Sequence, residues 1–335
     1  MEKRERGASE GFQHLNPVGI LNLVEEELGF YCSNLCRPLN SYINRVYEFE
    51  DEDGNGYVIK FYRPGRWSEA ALREEHTFMA ELAEAEIPVI APLPLTSGTT
   101  LGCRDQVYFA IYPKKGGRYL DELGDEQWLA LGRLLGRAHL VGAGHDFSHR
   151  PVIRPDKSTA GQLHYILESG LLPPELLPAY QGVVEQFIEQ AAPLFSQSEM
   201  IRIHGDCHAG NLIYRPDEAY YLIDLDDMAM GPPIQDFWML LPGAVSDSWA
   251  ELDFFLEGYE TFRSFDHGSL ALMEPLRAMR FVHYSAWCAY QVKEDGSSPL
   301  IPDFGSHGYW QQEIDDLADQ LERMKEGVSM PGNSW

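Results

Sequence analysis

The sequence predicts an α+β protein with two lobes, a small β-rich N-lobe followed by a larger α-helical C-lobe. The chain has 335 residues, which is more than one hydrophobic core usually holds. Runs rich in β-branched and aromatic residues concentrate before Pro113, and helical periodicity dominates after the small KKGG segment at 114–117. We therefore assign residues 1–112 to the N-lobe, 113–118 to a hinge and 119–335 to the C-lobe.

The N-lobe is predicted to contain two hairpins and two helices. A short amphipathic helix over 17–29 ends at Gly29. The runs SYINRVYEFE and YVIKFYRP flank DEDGNG, which predicts a hairpin with a polar turn. A helix over 67–86 follows, with Ser68 as its N-cap, and then IPVIAPLP and a hairpin over TTLGCRDQVYFAIYP. Residues 38–112 thus predict the order β-β-α-β-β-β.

The C-lobe is predicted to be mainly helical. Helical spacing of apolar residues covers 126–142, and 173–195 contains one or two more helices. Further helices are predicted over 249–264, 270–293 and 309–326. Between these helices, the stretch IHGDCHAGNLIYRPDEAYYLIDLDDMAMGPP predicts short strands and turns.

Composition and charge exclude several classes of partner. The formal net charge is −26, so the surface repels nucleic-acid phosphates and anionic membranes. No apolar run reaches the roughly 18 residues that a membrane span needs, and no apolar run follows the charged N-terminus. The five cysteines are odd in number and scattered, which predicts a reducing compartment. We expect a cytoplasmic monomer that binds neither nucleic acid nor membrane.

Two metal-site interpretations arise from acidic and histidine clusters. DEDGNG resembles the start of a calcium loop, but the twelfth position is Tyr62 instead of a bidentate Glu, which favours a simple turn. His204, Asp206 and His208 alternate along one segment, an arrangement that also suits a hydrolase metal centre. The other histidines lie without a partner motif, so this interpretation is the weaker one.

The same stretch matches the demands of phosphoryl transfer. Kinases carry a base Asp and a metal-binding Asn five residues apart on one loop, and a second Asp binds the metal after a β-hairpin. Asp206 and Asn211 have that spacing. LIYRPDEAYYLID then predicts a hairpin that ends at Asp224 and returns it towards Asn211.

These motifs carry a family resemblance. HGDCHAGN followed by LIDLDD resembles the aminoglycoside phosphotransferase and choline kinase superfamily, which has a two-lobed protein-kinase-like fold. PLNSYINRVYEFEDEDGNGYVIKFYRPGRW, EEHTFMAEL, FAIYPKKGGR, GPPIQDFWMLLPG and EPLRAMRFVHY are similar to the bacterial stress response kinase A group, of the RdoA type. The resemblance covers roughly residues 15–325.

The resemblance implies roles for matching residues. It implies that Asp206 is the catalytic base and that Asn211 and Asp224 bind Mg²⁺, with Asp224 also counted as catalytic. His204 is expected to orient the loop backbone, and Asp236 is expected to accept backbone N–H bonds from it. We leave open whether Asp226, Asp227 or His208 contacts metal or substrate.

The resemblance also implies a nucleotide site in the N-lobe. Lys60 would contact the phosphates of ATP, and Glu75 on the next helix would pair with it, with Glu74 as the alternative. Ser41 lies in the turn that covers the nucleotide phosphates in members of the family. Tyr112 belongs to the FAIYP stretch, whose backbone would bind the edge of adenine. The chain lacks G-x-G-x-x-G, D-F-G and A-P-E motifs, so an activation loop is not expected.

Together these features predict an ATP- and Mg²⁺-dependent phosphotransferase. The resemblance points to a Ser/Thr protein kinase that acts in a stress response on a protein substrate. Two alternatives stay open: a small-molecule kinase of the amino-alcohol, aminoglycoside or homoserine type, and a pseudokinase that binds nucleotide as a regulatory module.

Overall fold

The computed structural model groups the chain into two compact units. It describes residues 12, 15–118, 123–216, 218–243, 247–298 and 300–326. The first unit is Met1–Tyr119 with Leu212–Asp226, and the second is Leu120–Asn211 with Asp227–Trp335. The hairpin segment 212–226 thus makes its contacts with the N-terminal part of the chain. The lobe and hinge boundaries drawn from the sequence stay a prediction.

An antiparallel sheet forms the centre of the first unit. Its strands follow the spatial order β1-β2-β3-β5-β4. Helix α1 precedes the sheet and helix α2 follows β3. The bounds are α1 Pro17–Leu28, β1 Cys32–Leu39, β2 Arg45–Asp51, β3 Gly56–Phe61, α2 Glu69–Glu84, β4 Gly102–Arg104 and β5 Val107–Pro113. The side chains of Phe49, Ile59 and Phe109 are fully buried in the core between the sheet and α1.

Both predicted helices of this unit are confirmed, with the capping that the sequence suggests. The Ser68 hydroxyl accepts a hydrogen bond from the Ala71 backbone N–H at 3.2 Å. Gly29 ends α1 in the left-handed region with φ 74°, a conformation that glycine adopts without a steric cost.

The strand prediction was wrong in two places. β1 was not predicted, because CSNLCRPL lacks an alternating apolar pattern and lies at the edge of the sheet. IPVIAPLP is not a strand, since its three prolines lack the N–H groups that a ladder needs; only Val89 forms an isolated bridge, to Leu222. The order is therefore β-β-β-α-β-β instead of the predicted β-β-α-β-β-β.

The DEDGNG hairpin is confirmed and has a local explanation. β2 and β3 pair antiparallel, with Arg45 opposite Phe61 at one end of the ladder and Glu50 opposite Gly56 at the other. The Asp51 carboxylate accepts bonds from the Asn55 backbone N–H at 2.8 Å and from the Tyr57 hydroxyl at 3.0 Å. The Asn55 bonds lower the pKa of Asp51. The acidic residue thus shapes a turn.

Helices dominate the second unit. Their bounds are α3 Asp125–Gly142, α4 Ala160–Ser169, α5 Leu177–Phe195, α6 Gln235–Trp238, α7 Trp249–Glu260, α8 Met273–Asp295 and α9 His307–Glu326. Close contact between α3 and α7 depends on glycine. A Cβ at Gly132 would lie 2.0 Å from the Phe255 carbonyl oxygen, and one at Gly258 would lie 2.1 Å from that of Leu129.

The predicted helices of this part agree with the observed ones to within a few residues at most ends. The segment predicted as one or two helices over 173–195 is the single helix α5. Helix α4 was not predicted. Short strands occur at Ile201–Ile203 and Ala229–Gly231, which pair with each other, and at Leu212–Tyr214 and Tyr220–Leu222, which form the predicted hairpin. Within the described ranges, no helix is long and apolar enough to cross a membrane.

Candidate active site

The Asp206–Asn211 segment forms a closed loop after the strand Ile201–Ile203. The Asn211 side-chain N–H donates to the Asp206 carbonyl oxygen at 2.9 Å. The His208 backbone N–H also lies 3.0 Å from that oxygen. The spacing of five residues therefore places the Asn211 amide against the backbone of Asp206. Because its nitrogen is used within the loop, the amide oxygen is the atom left to bind a cation.

Asp236 at the start of α6 anchors this loop, as predicted. Its carboxylate accepts the backbone N–H groups of His204 at 2.7 Å and Gly205 at 2.8 Å. The His139 Nε2 atom lies 3.0 Å from the same carboxylate. The side chains of Asp236 and His139 are each 1% exposed, so the bonds form away from water. A buried carboxylate needs such partners, and the loop backbone supplies two of them.

Gly205 is required by the shape of the loop. Its φ is 85°, in the left-handed region. A Cβ at this position would lie 2.2 Å from the Asp227 carbonyl oxygen. Glycine therefore satisfies both the backbone conformation and the close approach.

The Asp206 carboxylate is flanked by an arginine and a histidine. Arg280 on α8 places Nη1 2.8 Å from Oδ1, and His208 places Nε2 3.5 Å from Oδ2. Burial alone would raise the pKa of Asp206, but the His208 hydrogen bond and the Arg280 charge outweigh it and hold the pKa well below its usual range. The carboxylate is thus ionised at neutral pH. Arg280 was missed from the sequence, because nothing in the spacing of α8 residues points to Asp206.

The two loop histidines bond to the loop backbone. The His204 Nδ1 atom accepts the Asp206 N–H at 3.4 Å, as its predicted orienting role requires. The His208 Nδ1 atom accepts the Gly210 N–H at 3.0 Å. Among the residues that the structure describes, no group of three or more His, Cys, Asp or Glu could hold a metal ion. This geometry therefore does not support the interpretation of the segment as the metal centre of a hydrolase.

Lys60 on β3 is the centre of a charged cluster in the first unit. Its side-chain nitrogen lies 2.9 Å from Asp224 Oδ1 and 3.3 Å from Asp226 Oδ1. Burial alone would lower the pKa of Lys60, but the carboxylates of Asp224, Asp226 and Glu75 raise it well above its ordinary value. A buried lysine that keeps its charge is suited to holding phosphate oxygens.

Asp224 combines backbone strain with an accessible carboxylate. Its φ is 55°, an uncommon value for a residue with a Cβ. Its side chain is 56% exposed although Oδ1 contacts Lys60. Strained backbone of this kind often occurs at functional sites.

Asp226 connects Lys60 to the segment between β1 and β2. Its side chain is 6% exposed, and Arg66 Nη1 lies 3.2 Å from Oδ2. The Asn44 side-chain amide lies 3.3 Å from the same oxygen and accepts the Arg63 backbone N–H at 3.0 Å. Asn44 and Arg66 were also missed from the sequence, where they look like ordinary loop residues.

The remaining predicted nucleotide residues lie in the same unit. Glu75 is buried on α2 and accepts the Tyr62 hydroxyl at 3.2 Å, whereas Glu74 is half-buried. The Tyr62 hydroxyl is also 3.0 Å from the Tyr112 hydroxyl. Ser41 is half-buried in the connection between β1 and β2. Direct pairing of Glu75 with Lys60, and nucleotide contacts of Ser41 and Tyr112, stay predictions.

Comparison with known proteins identifies the class of fold. The chain is similar to a solved amicoumacin kinase, hAmiN, with a TM-score of 0.72 and 17% identity over 95% of this chain and 96% of that one. It is also similar to a spectinomycin phosphotransferase, with a TM-score of 0.64 and 16% identity over 92% of this chain and 100% of that one. The protein therefore has the kinase-like fold of these phosphotransferases, and the predicted two-lobed α+β class is confirmed.

The family follows from sequence similarity. The phosphotransferase enzyme family (APH) matches residues 35–273, and the chain belongs to that family. It is 36% identical over 316 residues to stress response kinase A of Escherichia coli O157:H7, covering 94% of this chain and 95% of the relative. Identity and coverage are the same for the serine/threonine protein kinase RdoA of Salmonella typhimurium strain LT2. The resemblance drawn from the motifs is confirmed, and the protein is a phosphotransferase of the kinase type.

Proposed function

We propose that the protein is an ATP- and Mg²⁺-dependent kinase that phosphorylates Ser or Thr hydroxyls of a protein. The observation that carries the proposal is the loop in which an ionised Asp206 stands beside Asn211, anchored by Asp236. A catalytic base that acts at neutral pH needs such an ionised carboxylate. The protein acceptor is supported by the relative named serine/threonine protein kinase RdoA.

In this proposal the first unit binds the nucleotide. Lys60 holds the phosphates, because its charge is retained in a buried setting. Glu75 keeps Lys60 charged, Ser41 covers the phosphates, and Tyr112 lies in the stretch that contacts adenine. Two solved relatives of the same fold support nucleotide as the donor, one described with AMP-PNP and Ca²⁺ and one with ADP.

The residues present fit a magnesium ion. The Asn211 amide oxygen and the Asp224 carboxylate are the hard oxygen ligands that Mg²⁺ prefers, and Asp224 is more than half exposed. We therefore assign metal binding to Asn211 and Asp224. When bound with nucleotide, Mg²⁺ neutralises phosphate charge.

Asp206 would act on the acceptor. The acceptor hydroxyl donates a hydrogen bond to the Asp206 carboxylate, which orients its oxygen towards the γ-phosphorus. A bond forms between that oxygen and phosphorus, the bond from phosphorus to the β–γ bridging oxygen breaks, and the proton passes to Asp206. Lys60 stabilises the negative charge on the phosphates during this step.

A small-molecule kinase is the second candidate. Structures of the same fold are described as kinases of amicoumacin, spectinomycin and aminopropanol. The nucleotide-binding pseudokinase is the third, and the presence of Lys60, Asp206, Asn211 and Asp224 speaks against it.

Acceptor comparison tests the proposal. The wild type and Asp206→Asn are incubated with γ-labelled ATP and Mg²⁺, with casein or with ethanolamine as acceptor. We expect transfer to casein by the wild type, and a loss of at least about a hundredfold in Asp206→Asn with nucleotide affinity kept. Transfer only to ethanolamine supports the small-molecule kinase. Nucleotide binding without transfer to either acceptor supports the pseudokinase.

A further inference from the structure

The immediate surroundings of the Asp206 carboxylate differ in charge from the chain as a whole. The formal net charge is −26, yet the charged side chain that contacts the Asp206 carboxylate is the guanidinium of Arg280, with Nη1 2.8 Å from Oδ1. Arg280 is 33% exposed and Asp206 is 18% exposed, so solvent reaches both groups. A fixed cation therefore stands beside the base, where an acceptor would also bind.

Arg280 belongs to a half-buried stripe on α8. Residues 277, 280, 284 and 287 recur at helical spacing, which puts them along one face of the helix. Tyr284 and Trp287 stack with their ring centroids 5.6 Å apart. Arg277 lies one turn before Arg280, with its guanidinium 3.7 Å from Glu274 and over the Trp238 ring. Arg277 thus has other partners, whereas Arg280 contacts Asp206.

We propose that Arg280 determines acceptor specificity, favouring a Ser or Thr hydroxyl flanked by an acidic side chain and disfavouring an acceptor with an ammonium group beside its hydroxyl. This inference rests on the proposed function, because it assumes that Asp206 receives the acceptor hydroxyl. It narrows the substrate class from any protein with a Ser or Thr acceptor to one with acidic residues beside the phosphorylated Ser or Thr.

Two electrostatic effects of Arg280 lead to this preference. An acidic acceptor would be repelled by the Asp206 carboxylate, and Arg280 cancels that repulsion. The Arg280 guanidinium carries five N–H donors, so those not directed at Asp206 are suited to bind a second carboxylate. An ammonium group would instead meet Arg280 as a like charge where Asp206 alone would attract it.

The expected contribution of Arg280 to acceptor preference is modest, because Arg280 and Asp206 are both partly exposed to solvent. Interactions between partly exposed charges contribute on the order of 1 kcal/mol, which corresponds to a few-fold to tenfold change in kcat/KM. Removal of the Arg280 charge takes away an attraction for an acidic acceptor and a repulsion for a basic acceptor, so kcat/KM for the two acceptors should change in opposite directions. Their ratio should therefore change more than either value alone.

Matched acceptors test the inference. Two synthetic peptides place Ser between Glu residues or between Lys residues, and ethanolamine is the third acceptor. We expect the wild type to prefer the Glu peptide. Arg280→Met should lower kcat/KM for that peptide about tenfold and not lower it for the Lys peptide. Arg280→Lys, which keeps the charge, should retain most of the preference.

Arg277→Met is the matched control, since it removes the same charge one turn away. It should keep the wild-type ratio between the two peptides. An equal loss for all acceptors in Arg280→Met would mean that Arg280 only holds Asp206, and would overturn the inference. A ratio shift of the same size in Arg277→Met would also overturn it. Nucleotide binding and thermal melting of each variant verify that it is folded.

The same assay separates this inference from the proposed function. If the wild type phosphorylates both peptides and Arg280→Met leaves their ratio unchanged, the specificity role fails and the protein-kinase proposal stands. Transfer to ethanolamine alone, or to none of the acceptors, overturns both.

Discussion

Lys60 and Asp224 form an ion pair with 2.9 Å between the lysine nitrogen and Oδ1, although 164 residues separate them in the chain. Lys60 lies on β3, and Asp224 follows the hairpin of Leu212–Tyr214 and Tyr220–Leu222. Both residues belong to the first contact unit. The proposed phosphate-binding cation and one proposed metal ligand are therefore held against each other by a single unit.

Lys60→Met should abolish phosphoryl transfer while the protein stays folded. Methionine keeps most of the side-chain volume but leaves no cation for the phosphates, so we expect at least a hundredfold loss in kcat/KM for ATP. Transfer from labelled ATP measures the loss, and circular dichroism reports the fold. Lys115→Met is the control, because Lys115 is exposed and lies over the Tyr221 ring. A folded Lys60→Met variant with more than a tenth of the wild-type rate would contradict the assignment.

Asp226 should act together with Arg66 in supporting Lys60. Asp226→Asn removes the negative charge that both cations face, and we expect KM for ATP to rise about tenfold or more. Arg66→Met should have a similar effect, since it leaves Asp226 without one partner.

A double-mutant cycle measures the coupling between these two residues. Because they contact each other, the combined variant should lose about 1 kcal/mol less than the sum of the single losses. Strictly additive losses would show that Asp226 and Arg66 act independently.

Asp236→Ala should destabilise the second unit. It removes the acceptor for the backbone N–H groups of His204 and Gly205, which would then be buried without partners. We expect the free energy of unfolding to fall by about 3 kcal/mol, measured by urea denaturation. Asp253→Ala on the exposed face of α7 is the control and should change it by less than about 0.5 kcal/mol. Equal stability of the two variants would refute the anchoring role.

Glu313 on α9 should make stability depend on pH. Burial raises its pKa to about 7, despite the Ser285 hydroxyl that donates to it at 2.6 Å. Between the ordinary glutamate pKa and pH 7 the folded state holds a proton that the unfolded state has released. The free energy of unfolding therefore decreases as pH rises through this range, by up to about 3 kcal/mol from this group.

Glu313→Gln removes that titration. The variant should approach or exceed the wild type in stability at pH 8 and lose that advantage at pH 5, in urea denaturation at both values. Glu322→Gln, an exposed change on the same helix, should show no comparable pH dependence. A difference between Glu313→Gln and the wild type that does not vary with pH would contradict the raised pKa.

Secondary structure was predictable where a local pattern carries it. Helix α3, predicted over 126–142, occupies Asp125–Gly142, because its apolar residues recur at helical spacing. β1 was not predictable, since its residues lack that alternation and the strand is held by pairing with β2. IPVIAPLP was wrongly predicted as a strand, because its β-branched residues favour a strand whereas its prolines prevent a hydrogen-bonded ladder.

The site was predictable only where residues are close in sequence. The Asp206–Asn211 spacing predicts the loop, because five residues close a turn in which the Asn211 amide reaches the Asp206 carbonyl. Asp236 followed from the family pattern. The contact of Arg280 with Asp206 was not predictable, because no local sequence pattern indicates which carboxylate a single arginine on a helix contacts.

The sequence by itself determined the family, the order of most elements and the loop that carries Asp206, since these depend on local spacing and apolar periodicity. Only the tertiary structure decided which charges face each other. It paired Lys60 with Asp224 and Asp226, and Asp206 with Arg280. The physical reason is that electrostatic energy depends on distances in space, which packing sets between residues far apart in the chain.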